Sequence, residues 1–235
     1  MKIFGIMARW LFILCLPFLL VTASLAWAVN SPWLYEYGFK KYDVSSTTGL
    51  TEPELEKVAV GLVHYFESNE EYIDLTVMKD GKPFALFNAR EIAHLKDVKG
   101  LFWLDYYVLL GTLIYALVYT ITSLVWRRRE YWRRLAWAVI GGNGLTLVPM
   151  LVLGLSALLS RNLFDQLFLR FHFLAFANDF WQLDPSRDYL IMLITGGFQY
   201  DVFLFCAVVT AGAAVILGGL ATGLLLSTKR KAEPI

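Results

Sequence analysis

Long apolar stretches alternate with polar stretches along this chain. Four of the apolar runs contain no charged residue, and each is long enough to cross the hydrocarbon of a bilayer as a helix, which takes about 20 residues. These runs are Trp10–Tyr35, Tyr106–Trp126, Leu135–Ser160 and Val202–Thr228. The pattern therefore predicts four transmembrane helices.

The polar segment between the first two runs has the pattern of a small α+β layer. Thr51 is followed three residues later by Glu54, and Asn88 by Glu91, which is the spacing of a capping box at the start of a helix. Between them, apolar residues at 73–78 and 83–87 flank Asp80-Gly81, a dipeptide suited to a tight hairpin turn. We expect a helix starting near residue 52, a two-stranded ribbon, and a second helix over residues 89–99.

A second polar segment, between the third and fourth runs, carries apolar side chains at helical spacing. The repeating positions are Phe164, Phe168, Phe171 and Ala175. Charged and titratable residues interrupt this apolar pattern, which is typical of a helix at a membrane surface. We therefore expect an interfacial or re-entrant helix here, followed by turns around residues 177–188.

Together these patterns predict a mainly α fold, namely a four-helix transmembrane bundle with a small α+β extracytoplasmic cap. The predicted segments are transmembrane helix 1 (1–29), the cap (30–103), transmembrane helix 2 (104–126), a basic cytoplasmic loop (127–134), transmembrane helix 3 (135–160), an extracytoplasmic interfacial segment (161–200), transmembrane helix 4 (201–227) and a cytoplasmic tail (228–235). Residues 1–28 also fit a signal peptide, because Ala26-Trp27-Ala28 is an Ala-x-Ala pattern, but the length of the apolar run favours a retained anchor.

Composition supports the membrane assignment and narrows the choice of partners. Hydrophobic residues make up 57% of the chain and the mean hydropathy is +0.54, well above an ordinary soluble domain. The net charge of +1 provides no basic field for nucleic acid, so we expect no nucleic-acid partner. Cys15 and Cys206 lie inside apolar runs and lack the spacing of a disulfide framework or a metal site.

Charged residues are distributed unevenly between the two sides of the predicted spans. The N-terminus, the loop at 127–134 and the C-terminal tail hold ten basic and two acidic residues, whereas the other two polar segments hold eleven basic and eighteen acidic residues. Because cytoplasmic loops retain Lys and Arg, we expect both termini in the cytoplasm and the cap outside.

The clearest candidate for acid–base chemistry lies at the start of the helix predicted over residues 89–99. Glu91, His94 and Asp97 follow one another at intervals of three and share one arc of that helix. A carboxylate there can orient an imidazole and raise its basicity, as a general base or acid requires. The alternative is a solvated helix face with a single histidine.

His172 lies in an aromatic stretch, residues 171–181, beside a predicted span. Removal from water disfavours the charged form of an imidazole, so His172 is expected to be neutral and able to accept a proton. The alternative is a belt of aromatic rings at the membrane surface, in which the histidine only makes local hydrogen bonds. His64 has apolar neighbours and no motif, which favours a packing role.

Other catalytic classes lack their usual motifs. There is no Gly-x-Ser-x-Gly nucleophile motif, and Gly141-Gly142-Asn143-Gly144 lies within an apolar run, where close helix contact or a bend explains it better than phosphate binding. Glu91, His94, His172 and an aspartate could together hold a metal, but no standard ligand spacing supports this. We predict neither a cofactor nor a metal.

These motifs resemble those of the bacterial lipoprotein intramolecular transacylase family, a family of four-span integral membrane proteins. The resemblance lies in the order of the spans and the cap, and in two segments. They are Glu91-x-x-His94-x-x-Asp97-Val98-Lys99, and Phe171-His172 followed by Trp181, Asp184-Pro185 and Asp188-x-Leu190-Ile191.

The resemblance implies a membrane acyltransferase that moves the sn-2 acyl chain of a diacylglyceryl-cysteine lipoprotein onto its own N-terminal amino group, giving the lyso form. The partners it implies are diacylglyceryl-modified lipoproteins and membrane lipids, in the bacterial inner membrane. It implies His94 and His172 as catalytic residues, and supporting positions at Glu91, Asp97, Lys99, Asn178, Asp179, Trp181 and Asp188. The alternatives are a metal-dependent membrane lipid hydrolase and a non-catalytic membrane assembly or interaction protein.

Overall fold

The computed structural model describes residues 2–125 and 129–230. Its elements are, in order, α1 (Lys2–Val29), α2 (Pro32–Lys41), α3 (Val44–Thr48), α4 (Glu52–Glu67), β1 (Thr76–Lys79), β2 (Lys82–Ala85), α5 (Ala89–Val125), α6 (Arg129–Leu159), α7 (Arg161–Ala175), α8 (Tyr189–Leu193) and α9 (Gly196–Arg230). The prediction of a mainly α fold with a small two-stranded ribbon is confirmed. The first residues of the predicted basic loop, Arg127 and Arg128, and the last five of the predicted tail lie outside the described residues.

Four of the helices are long and apolar enough to cross a membrane, so the protein is an integral membrane protein. The membrane-capable lengths are Ile3–Val29, Ala89–Val125, Glu130–Ser156 and Gly196–Ser227. Many large apolar side chains on these helices are exposed, as expected where lipid rather than water is the surrounding solvent. The number of predicted spans is confirmed.

One unit of the structure combines the apolar parts of these helices, residues 2–25, 105–125, 129–156 and 206–230. Its core is built from Phe12, Ile13, Leu16, Ala116, Leu135 and Ala138. A Cβ atom on Gly142 would lie 2.5 Å from Cδ1 of Leu16, so α1 and α6 approach each other only because this residue has no side chain. The predicted helix contact at the Gly141–Gly144 run is thereby confirmed.

The second unit contains residues 26–104 and 157–205, which include the ribbon and the short helices. The apolar face of α4 is buried through Leu55, Val58, Leu62 and Phe66. The ribbon turns at Asp80 and Gly81, whose φ angles of 52° and 74° are those that the Asp-Gly dipeptide supplies. Glu54 accepts a hydrogen bond of 2.8 Å from the amide of Met78 and so fastens the ribbon to α4.

Two local predictions differ from the structure, whereas the predicted end of transmembrane helix 1 at residue 29 agrees with it. The capping box predicted at Thr51 and Glu54 does not form: the Thr51 side chain makes no capping hydrogen bond, and the Glu54 carboxylate accepts from the Met78 amide of the ribbon instead of the Thr51 amide. The first apolar run divides into α1 and α2, since Pro32 cannot donate to the preceding turn and starts a new helix. The helix predicted over residues 89–99 continues without a break as α5 to Val125.

Candidate functional site

The start of α5 is fixed by a complete capping box. The Asn88 side-chain oxygen accepts hydrogen bonds from the amides of Arg90 and Glu91, at 2.9 and 3.1 Å. In return, the Glu91 carboxylate accepts from the Asn88 amide at 2.8 Å. This reciprocal arrangement satisfies the free amides of the first turn and sets which residues of α5 face the rest of the unit. Because of it, His94 lies on the buried side of the second turn.

Two buried carboxylates join α8 to this capping box. Glu91, which is 1% exposed, also accepts a hydrogen bond of 2.6 Å from the amide of Leu190. Asp188, which is 2% exposed, accepts from the Asn88 side chain at 3.0 Å. Burial raises the pKa of the Glu91 carboxyl, the amide hydrogen bonds oppose that shift, and the neighbouring Asp188 charge adds to it. Both carboxylates therefore use their oxygens to hold the chain in place.

Helix α7 presents His172 in a defined tautomer. Its N-terminus is capped by Ser160, and the Nδ1 atom of His172 lies 2.9 Å from the backbone carbonyl of Phe168, one turn earlier. A carbonyl oxygen can only accept, so Nδ1 must carry the hydrogen in this bond. In the neutral ring the lone pair is then on Nε2, where it is able to accept a proton.

The two histidines predicted from sequence lie side by side. Their ring centroids are 6.1 Å apart, and the planes differ by 34°. Phe176 contacts both imidazoles, at 5.0 Å from His94 and 5.4 Å from His172. The centroid of the Trp181 ring lies 5.1 Å from that of His172. The site is thus a pair of imidazoles surrounded by aromatic rings, close enough for one small polar group to touch both.

His94 is almost completely buried, with 7% of its surface exposed, and its Nδ1 atom has no hydrogen-bond partner among the described residues. Charged residues continue along α5 as far as Asp105, and the uncharged stretch of the helix starts after it. His94 therefore lies about three helical turns before that uncharged stretch. Burial lowers the pKa of the His94 imidazole to about 4; the nearby His172 adds to the lowering and Asp97 opposes it. His94 is therefore uncharged at neutral pH.

The predicted orientation of His94 by a carboxylate of its own helix is wrong. Glu91 is occupied by the amides of Asn88 and Leu190. Asp97 accepts a hydrogen bond of 2.8 Å from the side chain of Asn178 in the loop between α7 and α8, residues 176–188. Both carboxylates hold neighbouring segments of the chain, and neither contacts the imidazole.

Helix α5 holds the α7–α8 loop at two points, one turn before and one turn after His94. Asp97 binds the Asn178 side chain, and the Arg90 guanidinium donates to the backbone carbonyl of Asp179. Arg90 was not among the residues singled out from the sequence. Its spacing of four from His94, which places both on one face of the helix, was the signal that could have identified it.

The structure brings together five of the predicted site residues. They are His94, His172, Asp97, Asn178 and Trp181. The Asp179 carboxylate instead accepts from the Gln182 side chain. Lys99 lies elsewhere, donating to the Ser68 hydroxyl and to the Glu70 carbonyl at 3.2 and 2.6 Å.

Two further predictions concern metals and His64. In residues 2–125 and 129–230, no group of three or more His, Cys, Asp or Glu side chains is arranged to hold a metal ion. His64 is exposed on α4, so the packing role predicted for it is wrong.

Known proteins resemble this chain in two ways: one family model matches its sequence, and solved structures share its fold. A sequence model described as "Lipoprotein intramolecular transacylase Lit" matches residues 10–199. No curated protein sequence matches significantly. Among solved structures, the in meso structure of the membrane integral lipoprotein intramolecular transacylase Lit from Bacillus cereus has a TM-score of 0.76 and 18% identity, over 99% of this chain and 100% of that one.

Two further structures of the Bacillus cereus protein each carry a substitution of a histidine. The variant with arginine has a TM-score of 0.71 at 20% identity, over 99% of this chain and 97% of that one. The variant with alanine has a TM-score of 0.73 at 19% identity, over 96% and 95% of the two chains. At these identities the structural likeness establishes a shared fold.

Proposed function

The chain belongs to the lipoprotein intramolecular transacylase family, and we propose that His94 and His172 carry out its acyl transfer. It is an integral membrane acyltransferase that moves an acyl chain within a lipoprotein. The substrate is a diacylglyceryl-cysteine lipoprotein, whose sn-2 acyl chain moves to the α-amino group of the same cysteine. The observation that supports the assignment is the pair of imidazoles, 6.1 Å apart within a cluster of aromatic rings.

His172 acts as the general base, because the bond from Nδ1 to the Phe168 carbonyl leaves Nε2 free to accept a proton. The amine nitrogen bonds to the ester carbonyl carbon, its proton passes to Nε2 of His172, and the π electrons move to the carbonyl oxygen. The tetrahedral species then collapses by breaking the bond from that carbon to the glyceryl oxygen. His172 returns the proton to the departing oxygen, which becomes the free hydroxyl of the lyso form.

His94 serves a different role, because burial keeps its imidazole neutral and makes it a weak base. A neutral imidazole still has one N–H group, and that group can donate to the ester carbonyl oxygen as the oxygen gains charge. The two histidines therefore divide the work: His172 transfers the proton, and His94 stabilises the oxyanion.

The surrounding rings favour transfer over hydrolysis. Phe168, Phe176 and Trp181 contact one or both imidazoles and reduce the space available to water. The ester and the amine belong to one molecule, so bringing them together costs little translational entropy once the lipid is bound. An amine held beside the ester then competes effectively with water.

Most of the remaining predicted site residues help to hold the two histidines in position. Asp97 and Asn178 hold the α7–α8 loop against α5, so that Phe176 and Trp181 lie over the imidazoles. Glu91 and Asp188 hold the start of α5 through hydrogen bonds with Asn88 and with the Leu190 amide. Asp179 offers its backbone carbonyl, and Lys99 stabilises the end of α4 at a distance from the site.

The orientation of the protein in the membrane is inferred from the distribution of its Lys and Arg residues. The excess of Lys and Arg at both termini and at residues 127–134 supports cytoplasmic termini in the bacterial inner membrane, with the cap and its histidines outside. This orientation places the site where lipoproteins and membrane lipids of the outer leaflet are accessible.

Cysteine labelling tests the orientation. With Cys15 and Cys206 replaced by alanine, Asp80→Cys in the hairpin should react with a membrane-impermeant maleimide in intact cells. Glu233→Cys should react only after the cells are permeabilised. The reverse pattern would contradict the proposed orientation.

Tandem mass spectrometry of a diacylglyceryl-cysteine lipopeptide tests the function. Transfer only rearranges atoms, so the purified enzyme should leave the intact mass unchanged while fragment ions move one acyl chain from the glyceryl group to the cysteine nitrogen. A lipopeptide with an acetylated N-terminus is the control, because its blocked nitrogen cannot accept the chain.

Other outcomes of this assay correspond to the alternative functions. Loss of one acyl chain from the intact mass, equal for the free and the acetylated lipopeptide and sensitive to chelators, would indicate the metal-dependent lipid hydrolase. An unchanged fragment pattern with well-folded protein would support the non-catalytic membrane assembly or interaction protein. Either result would overturn the transacylase proposal.

A further inference from the structure

Two buried polar atoms in the unit formed by residues 26–104 and 157–205 have no hydrogen-bond partner among the residues described there. They are Nε of Arg90 and Nδ1 of His94. Other buried polar side chains of the unit are well satisfied, including Glu91, Lys99 and Asp188. Since nearly all buried polar groups in proteins find partners, two exceptions in one place need an explanation.

The two unpaired atoms belong to one small region. Arg90 and His94 are four residues apart on α5, so their side chains leave the same face of the helix, one above the other. The α7–α8 loop lies over both, with the Phe176 ring on His94 and the Asp179 carbonyl on Arg90. The loop uses only an outer nitrogen of the guanidinium, and the inner Nε–H stays free.

The chemistry of the free atom defines what it can bind. A guanidinium only donates hydrogen bonds and keeps its charge at any physiological pH, so its partner must be an acceptor, and preferably one that carries negative charge. The substrate of the proposed reaction provides such an atom beside His94, namely the carbonyl oxygen of the ester under attack. That oxygen becomes negatively charged when the amine nitrogen bonds to the carbonyl carbon.

We infer that Arg90 is a third catalytic residue, whose Nε–H donates to the ester carbonyl oxygen and stabilises the oxyanion together with His94. This inference rests on the proposed function. In the tetrahedral species the oxygen holds the electron pair of the former π bond, and no proton leaves Arg90. When the bond to the glyceryl oxygen breaks, the pair returns to the carbonyl, and the amide product is released.

The matched variant is Arg90→Lys, which keeps the charge and one donor for the Asp179 carbonyl but has no inner N–H. Its kcat should fall by about 10²–10³, the usual loss for one oxyanion donor. The comparison ligand is a dialkyl ether analogue of the lipopeptide, which has no carbonyl oxygen. Its inhibition constant should change less than about twofold, because the analogue lacks the carbonyl oxygen that the Nε–H of Arg90 is proposed to stabilise.

Two results would overturn the role of Arg90. One is an unchanged kcat in Arg90→Lys; the other is an equal loss of kcat and of affinity for the ether analogue, which would make Arg90 a tether for the loop. If Arg90→Lys fails to fold, as judged by its melting temperature in detergent, Arg90→Ala is assayed with added guanidinium ion. Restored activity supports the inference, and no restoration overturns it.

Failure of this inference can be distinguished from failure of the proposed function. If Arg90→Lys transfers acyl chains at the full rate while His172→Ala does not, only the role of Arg90 is lost. If the histidine variants also transfer at the full rate, the proposed site itself is wrong.

Discussion

Alanine in place of His172 is expected to reduce acyl transfer by about 10²–10⁴, the contribution of a positioned general base. The variant loses the Nε2 lone pair, so no group remains in position to take the amine proton as the nitrogen attacks. His94 cannot replace it, because burial lowers its pKa to about 4 and makes it a poor base at neutral pH. His94→Ala should also lose acyl transfer, because the variant no longer stabilises the oxyanion, whereas its general base His172 is intact.

The measurement is the rate at which the acyl chain appears on the cysteine nitrogen of a synthetic lipopeptide, followed by fragment ions. The matched control is His64→Ala, since this histidine is exposed on α4 and should leave the rate unchanged. Melting temperatures in detergent establish that each variant is folded. Full activity in folded His172→Ala, or a loss in His64→Ala equal to that in His172→Ala, would contradict the assignment.

His94 is expected to contribute to the loss of stability in acid, measured as a decrease in the free energy of unfolding. The folded pKa of about 4 lies below the usual value of 6.5, so the unfolded chain binds a proton at His94 first as the pH falls. The contribution is therefore fully present above pH 6.5 and is lost between pH 6.5 and 4. A difference of this size corresponds to about 3 kcal/mol of the free energy of unfolding.

His94→Leu is the matched variant, because leucine fills a similar buried space and does not titrate. Between pH 6.5 and 4, the free energy of unfolding in detergent should fall by about 3 kcal/mol more in the natural protein than in this variant. His64→Leu serves as the control and should follow the natural protein. Identical pH profiles for the natural protein and His94→Leu would show that His94 is not held neutral by burial.

Local sequence patterns predicted the elements that carry the site. The capping box at Asn88 and Glu91 formed as expected, because one Glu91 carboxylate oxygen accepts from the Asn88 amide while the other accepts from the distant Leu190 amide. The same pattern at Thr51 and Glu54 did not form, because the Met78 amide of the ribbon takes the Glu54 carboxylate. A local pattern is therefore reliable only where tertiary structure offers its side chains no better partner.

The partners of the charged residues could not be inferred from spacing. Glu91, His94 and Asp97 share one arc of α5, as predicted, yet each carboxylate binds a segment from elsewhere in the chain. The spacing of Arg90 from His94 places both on one face of α5, but it could not reveal the hydrogen bond from Arg90 to the Asp179 carbonyl, 89 residues away. Hydrogen bonds of this kind depend on which segments meet, and helical periodicity contains no such information.

The sequence by itself determined the four membrane-capable helices, the hairpin and the residue types of the candidate site. These follow from bilayer thickness, turn geometry and side-chain chemistry, which act over short stretches of chain. Tertiary structure alone decided that His94 and His172 lie 6.1 Å apart, that burial keeps His94 neutral, and that the Phe168 carbonyl fixes the tautomer of His172. The physical reason is that proximity and desolvation arise only when distant segments pack together.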